Sequence, residues 1–252
     1  TFFFGHLIVN LSLYLAVAAI YDSFPKYTGR EWHSGRVVAI AWNVVLVVVL
    51  LAYFHHLYMD FVQPKALQYI GQVASYISGL PSAVVTIFGA MAIVYRAPVK
   101  WSLGFTLLFF GMMGWGIGGI GAVIDSTIAV NSKFHNTLWV PAHFHSYMIE
   151  GLVLMALGYF YHYCQEKAQL PENPRFQKLI VWLMLVGGYG FLLMFYLSGA
   201  KAIPRRFAFY PAELSHGALF SAIGLVFISA FLLGLILYIY ETGKRWKKAR
   251  AL

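Results

Sequence analysis

Arg36-Val37-Val38-Ala39-Ile40-Ala41-Trp42-Asn43-Val44-Val45-Leu46-Val47-Val48-Val49-Leu50-Leu51-Ala52-Tyr53-Phe54-His55-His56 carries one charge at its start and two imidazoles at its end. About 20 apolar residues in helical form cross the roughly 30 Å hydrocarbon core of a bilayer. The run therefore reads as a membrane span that brings histidine close to one membrane surface. The rest of the chain extends that reading: of 252 residues, 60% are hydrophobic and 11% charged, with a mean hydropathy of +0.70. A soluble all-α domain is excluded by that balance. Seven apolar runs, at about 2–24, 35–61, 66–95, 100–124, 135–165, 176–200 and 212–241, predict an all-α integral membrane protein of seven transmembrane helices. Breakers separate them: Phe24-Pro25-Lys26, Gln63-Pro64-Lys65, Ala97-Pro98, the polar stretch Asp125 to Lys133, Pro171-Glu172-Asn173-Pro174 and Ile203-Pro204-Arg205-Arg206. No linker or internal repeat divides residues 1–252, so a single transmembrane domain is expected.

The single cysteine, Cys164, excludes an internal disulfide framework and a thiolate metal cage, leaving His and carboxylate as metal ligands. The net charge of +9 does not indicate nucleic acid, because the basic residues lie in loops between apolar spans. Their distribution is topological. Thirteen of them (Lys26, Arg30, Arg36, Arg96, Lys100, Lys167, Arg175, Lys178 and the tail from Lys244 to Arg250) fall on one side, and Lys65, Lys133, Lys201, Arg205 and Arg206 on the other. By the positive-inside rule the tail is cytoplasmic and Thr1 faces outward. The chain opens on Thr1 within an apolar run, without an initiator Met or signal-peptide n-region, and is expected to be N-terminally truncated, with earlier helices preceding Thr1.

With this orientation the histidines fall into register. His6 lies near the outer start of the first span, His55 and His56 near the outer end of the second, and His143 and His145 near the outer start of the fifth, with His135 just beyond. Imidazoles are costly in lipid unless they pair, bind metal or line a cavity, and neutral imidazole suits Zn, Cu and Fe. His143 and His145 are two residues apart, about 200° around a helix, and so must serve different centres; two porphyrins flanking the helix would each take one as an axial ligand. His55 and His56 are about 100° apart, so both reach one ion only if the helix distorts locally. With His6 they make a three-histidine site with an open position. His33, His162 and His216 read as packing or loop residues.

The text Phe4-Gly5-His6, His55-His56, His135-Asn136-Thr137, Trp139-Val140-Pro141-Ala142-His143-Phe144-His145 and Pro204-Arg205-Arg206-Phe207 resembles subunit I of the haem-copper oxidoreductases over nearly the whole chain. The resemblance implies the metal- and haem-binding part of a bundle of about twelve helices. It implies two haems and one Cu or Fe ion. His6, His55 and His56 would hold the ion, His143 a high-spin haem and His145 a low-spin haem. His135, Arg205 and Arg206 would lie in the propionate region, where a guanidinium offers carboxylates a bidentate fork. The second axial histidine of the low-spin haem would come from a helix before Thr1. A small subunit II-like electron-entry partner, cytochrome c or quinol as donor, and a bacterial or archaeal cytoplasmic membrane are implied as well.

One position departs from the family's oxygen reductases. Most carry a tyrosine four residues after the first metal-ligating histidine, where this chain has Asn10; the C-type enzymes carry it six residues before the histidine pair, where this chain has Val49. One-step O2 cleavage takes four electrons, and the tyrosine supplies the last with a proton. Reducing two NO to N2O takes two electrons and needs no phenol, and the family's nitric oxide reductases can place a metal-ligating glutamate at the +4 position. Asn10 lies one turn below His6 on the same face. NO reduction is therefore the expected activity. O2 reduction is the alternative, supported by a B-type-like run from His135 to His145 and by Tyr14 or Tyr53 as a replacement phenol. A non-catalytic haem scaffold is the second alternative, which the open three-histidine site argues against.

Either reaction consumes protons. Ser75, Ser78, Ser82 and Thr86 form one polar stripe on the third span, read as a hydroxyl-and-water conduit that Tyr21 could join, with helix packing by small residues as the plainer reading. Glu150, five residues past His145, is an intramembrane carboxylate and so either handles protons or bonds a residue on a missing helix. The glycines from Gly116 to Gly121 permit close approach of a neighbouring helix or a haem edge.

Overall fold

The computed structural model describes residues 2–32, 35–59 and 62–251; His33 lies outside the described residues. Among them the chain is helical, with one isolated antiparallel bridge between Thr137 and Pro204. Helix α1 runs Phe2–Thr28 and α2 Arg36–Ala52, continued by a 3-10 turn at Tyr53–Leu57. Helix α3 (Lys65–Ala83) passes through a π turn (Val84–Phe88) into α4 (Gly89–Val94), and α5 (Leu103–Ser126) is followed by the short α6 (Ile128–Phe134). Helix α7 (Trp139–His145) passes through a π segment (Ser146–Val153) into α8 (Leu154–Ala168). Two long helices, α9 (Pro174–Ala200) and α10 (Ser215–Ala249), complete the chain.

Six of these runs are long and apolar enough to cross a membrane. The fifth predicted span is not among them as one continuous helix: it starts at Trp139 instead of 135 and is interrupted by the π segment, although residues 139–168 form one helical path. The expected count of seven is thus approximate. Other boundaries shift for local reasons. Pro25 sits inside α1, which ends at Gly29 in the left-handed region (φ 65°); one proline forfeits a single backbone hydrogen bond, and the last turn survives by packing. The polar stretch read as a loop contains α6. The starts of α5 and α9 are capped by side chains: the Ser102 hydroxyl accepts from Phe105 N (3.4 Å) and the Asn173 side chain from Phe176 N (3.2 Å).

Helix α5 is the central element. Its one face packs with α1, α4 and the α7–α8 path through Leu13, Val17, Ile20, Phe24, Phe105 and Met112, and its other face packs Leu103 and Leu107 against Leu154, Met184 and Phe231. Glycine makes this contact close: a Cβ on Gly158 would stand 2.7 Å from the Leu108 nitrogen and 2.8 Å from the Gly104 oxygen. Large apolar side chains such as Val37, Val47, Trp182, Val226 and Ile236 point outward, as lipid-facing surfaces do while every helix satisfies its own backbone. These spans make the chain an integral membrane protein.

The end of the bundle at the chain's basic tail is tied by polar groups. Arg245 is 1% exposed. It donates to Glu241 Oε1 (2.7 Å), Gln165 Oε1 (2.6 Å) and the Pro171 carbonyl (3.1 Å).

Candidate metal centre

His6 projects from the first turns of α1, and His55 and His56 from the 3-10 turn that closes α2. One ring nitrogen from each lies within 4.8 Å of the others. The 3-10 winding is the local distortion that adjacent ligands require: the His55 and His56 rings stand 4.1 Å apart, and those of His6 and His56 5.0 Å apart. His6 Nδ1 is 3.0 Å from His56 Nε2, and His6 Nε2 is 3.1 Å from the Val49 carbonyl oxygen. Ser75 of α3 holds the third ring from behind, with its Oγ 2.8 Å from His55 Nδ1, while donating to the Gly71 carbonyl (2.6 Å).

His143 and His145 diverge as their spacing requires. His143 turns toward α5, where a Cβ on Gly121 would stand 3.0 Å from its Nδ1, and it lies within electrostatic range of His55 and His56. Tyr147, one turn further along, meets the His143 ring edge-on at 5.2 Å. His145 turns toward α9, where Phe191 and Phe195 present their edges at 6.4 and 5.7 Å. A cavity of about 200 Å³ between α9 and α10 is lined by Phe191, Met194, Phe195 and Gly224.

These donor sets fit the groups expected of them. Three converging imidazoles suit a first-row transition metal. His145 Nδ1 donates to the Pro141 carbonyl (2.7 Å), which fixes the tautomer and leaves the Nε2 lone pair for a haem iron. His143 rests on a stretch of α5 where Gly121 leaves room beside its ring and Gly118 beside that of Tyr147.

Asn10 lies one turn below His6. Its Nδ2 donates to the His6 carbonyl (2.7 Å), and its Oδ1 accepts from the Tyr14 hydroxyl (3.4 Å). Asn10, Tyr14, Ser78, Ser82, Trp115 and Tyr147 line one cavity of about 140 Å³. Tyr53 stands 6.3 Å from the His56 ring and edge-on to Phe3. Among the described residues the stripe hydroxyls do not bond one another. Ser78 and Ser82 donate to the Ser75 and Gly79 carbonyls (3.0 and 3.4 Å), while Thr86 Oγ1 and Tyr21 Oη are 2.8 Å apart, with Trp42 Nε1 donating to the same phenol (3.1 Å).

His135 and Arg205 are brought together by backbone. Residues 136–138 run beside 203–205, with Leu138 N donating to the Ile203 carbonyl and Arg205 N to the Asn136 carbonyl (both 2.9 Å). Arg205 Nη2 also donates to Asn136 Oδ1 (2.8 Å). Arg206 is exposed, with φ 71°. The remaining histidines lie elsewhere: His162 Nδ1 is 2.9 Å from the Tyr27 hydroxyl, and His216 is exposed beside Phe220.

Sequence reasoning had not singled out Ser75 as the direct neighbour of His55, Pro141 as the anchor of His145, Asn136 as the anchor of Arg205, or Tyr147. The last had a readable signal, since it follows His143 by four residues and so shares its helix face.

Comparison with known proteins gives the chain's family and fold. Residues 1–239 match the family described as Cytochrome C and Quinol oxidase polypeptide I. The chain is 25% identical to cytochrome c oxidase subunit 1 of Thermus thermophilus, over 94% of this chain and 45% of that protein. It is 27% identical to that of Cereibacter sphaeroides, over 96% of this chain and 43% of that protein. A heme-copper oxidase subunit I+III of Aeropyrum pernix is 24% identical over 96% of the chain and 29% of its own length. Among solved structures, a heme-copper terminal oxidase dimer superposes with a TM-score of 0.80 at 19% identity, covering 97% of this chain and 48% of that one. The chain thus spans less than half the length of these relatives. By its match from end to near end, its helical bundle and its histidine geometry, the chain belongs to the family of subunit I of the haem-copper oxidases.

Proposed function

We propose that this chain is the metal- and haem-binding part of a respiratory terminal reductase that converts two NO, two electrons and two protons to N2O and water. His145 and His143 would bind the low-spin and high-spin haems, and His6, His55 and His56 a Cu or Fe ion. The two metals, when bound, supply the electrons and the sites for two nitrogen atoms to meet. The observation that carries the choice of gas is Asn10. The position one turn below His6 holds an amide whose Nδ2 is engaged with the His6 carbonyl, so it provides neither the electron nor the proton that one-step O2 cleavage demands.

The chain's own groups divide the remaining work. Ser75 would orient His55, and the cavity that Asn10 shares with Ser78 and Ser82 would hold water for proton delivery, with the hydrogen-bonded Tyr21–Thr86 pair as the candidate entry to that conduit. His135, Arg205 and Arg206 would meet the haem carboxylates. Electrons would arrive from cytochrome c or quinol through a small subunit II-like partner, and the basic tail would face the cytoplasm of a bacterial or archaeal cell with residue 1 outside.

O2 reduction is the second reading. It draws on the Tyr14 hydroxyl, which shares the Asn10 cavity, and on relatives that carry the name cytochrome c oxidase. Anaerobic turnover of the complete purified complex with NO, beside O2 uptake with the same donor, separates the two. N2O formation is expected, and robust O2 reduction without N2O would sink the preferred reading. In that case Tyr14→Phe should abolish O2 uptake.

A further inference from the structure

Glu150 sits at the centre of the π segment and is 0% exposed, and neither carboxyl oxygen has a hydrogen-bond partner among the described residues. Three elements enclose it. Helix α5 presents the backbone of Gly114, α9 presents Gly188, and α10 presents Phe231 beside Gly188. The space is specific to this carboxyl, because a methyl group at Gly188 would overlap it, and one at Gly114 would run into the Glu150 backbone. Tyr189 of α9 is the titratable side chain in electrostatic contact with it. No ion pair of Glu150 occurs among the described residues; the one pair buried on both sides among them is Arg245–Glu241 at the far end of the bundle.

A carboxylate in that position would be a buried charge without a cation, which proteins avoid by keeping the group neutral. Even the neutral acid forfeits hydrogen bonds that an apolar residue of similar size would never need. Among the described residues the carboxyl therefore has no structural reward, and an ionisable group at such a depth is by default a functional one. Its placement says which function. Glu150 follows His145 by five residues, about 7.5 Å along a helix axis, on the same helical path that carries both axial histidines. A carboxyl within about 10 Å of a site that gains an electron binds its proton roughly tenfold more tightly at an effective dielectric of about 20. The residue lies within a π segment, a winding frequent at functional sites.

We infer that Glu150 is a proton-holding acid of the membrane core that exchanges its proton in step with the electron at the His145 haem site. The inference rests on the haem assignment made above. When the His145 haem site would pass its electron to the His143 site, the carboxyl O–H releases H+ to water, and when the donor (cytochrome c or quinol) would return an electron to it the carboxylate takes H+ back from water, so one proton moves with one electron in each direction.

The test is redox-induced infrared difference spectroscopy on the complete purified complex, wild type and Glu150→Gln, with the haem optical spectrum recorded on each sample. The wild type should show a protonated-carboxyl stretching band that shifts in 2H2O. That band should vanish in Glu150→Gln, and the pH dependence of the low-spin haem potential should flatten with it. A haem-replete Glu150→Gln protein that retains the band and the pH dependence overturns the role of Glu150 alone. Should Glu150→Gln not assemble, the wild type still decides: a redox difference spectrum without any deuterium-sensitive carboxyl band overturns the inference. A wild-type complex without haem overturns both this inference and the functional reading beneath it.

Discussion

At the scale of single residues, the placement of the candidate ligands was legible because their signal is one-dimensional. Two residues apart on a helix means opposite faces, and His143 and His145 do face α5 and α9 respectively. What holds the ligands was not legible, since the Pro141 carbonyl and the Ser75 hydroxyl depend on helix phase and on which helix neighbours which. Ser75→Ala removes the contact to His55 Nδ1 at 2.8 Å while leaving α3 able to pack. Groups that orient a metal ligand typically contribute 10–100-fold in metal affinity, so metal retained after dialysis against a chelator should fall by about tenfold or more with haem content unchanged. Equal retention would show that Ser75 serves only its own helix. His145→Ala should erase the low-spin haem signal in the optical spectrum and leave the high-spin signal, the reverse of His143→Ala; identical spectra for the two variants would refute the division of the haems.

At the scale of elements, hydropathy located the helices but not their interruptions. A sliding apolar pattern cannot distinguish 3.6 residues per turn from the wider π turns at Val84–Phe88 and Ser146–Val153 or the 3-10 turn at Tyr53–Leu57. Those three irregular stretches lie beside Thr86, Glu150 and the histidine pair, so the least legible backbone is the backbone that positions the chemistry. The close α5–α8 contact is a further feature that composition only hinted at. Gly158→Val would drive a side chain into the Leu108 backbone at 2.7 Å, and neither atom can move without separating the helices. Overpacking of this kind costs about 1–3 kcal/mol. The expected result is a lowered thermal midpoint in detergent, whereas Gly243→Ala, where an added Cβ meets nothing within 4 Å, should leave it unchanged.

At the scale of the whole molecule, the sequence pointed to the membrane class and predicted an orientation, and it used the basic tail only as a topological signal. Arg245 departs from that treatment. It is 1% exposed and clamps the last helix to Gln165 and to the Pro171 carbonyl through one guanidinium. The positive-inside count is silent on this, because a tally of loop charges carries no information about which charges are paired. Removing one partner of a buried ion pair typically costs about 3–5 kcal/mol. Arg245→Ala should fall near about 3 kcal/mol, the low end of that range, because Lys244 still reaches Glu241 from its exposed side (2.5 Å). Replacing both partners, Arg245→Met with Glu241→Met, leaves no charge stranded in the core and should recover most of the loss. Equilibrium unfolding in mixed detergent micelles measures both variants. If the double variant is no more stable than Arg245→Ala, the bonds to Gln165 and Pro171, not the ion pair, hold the end of the bundle together.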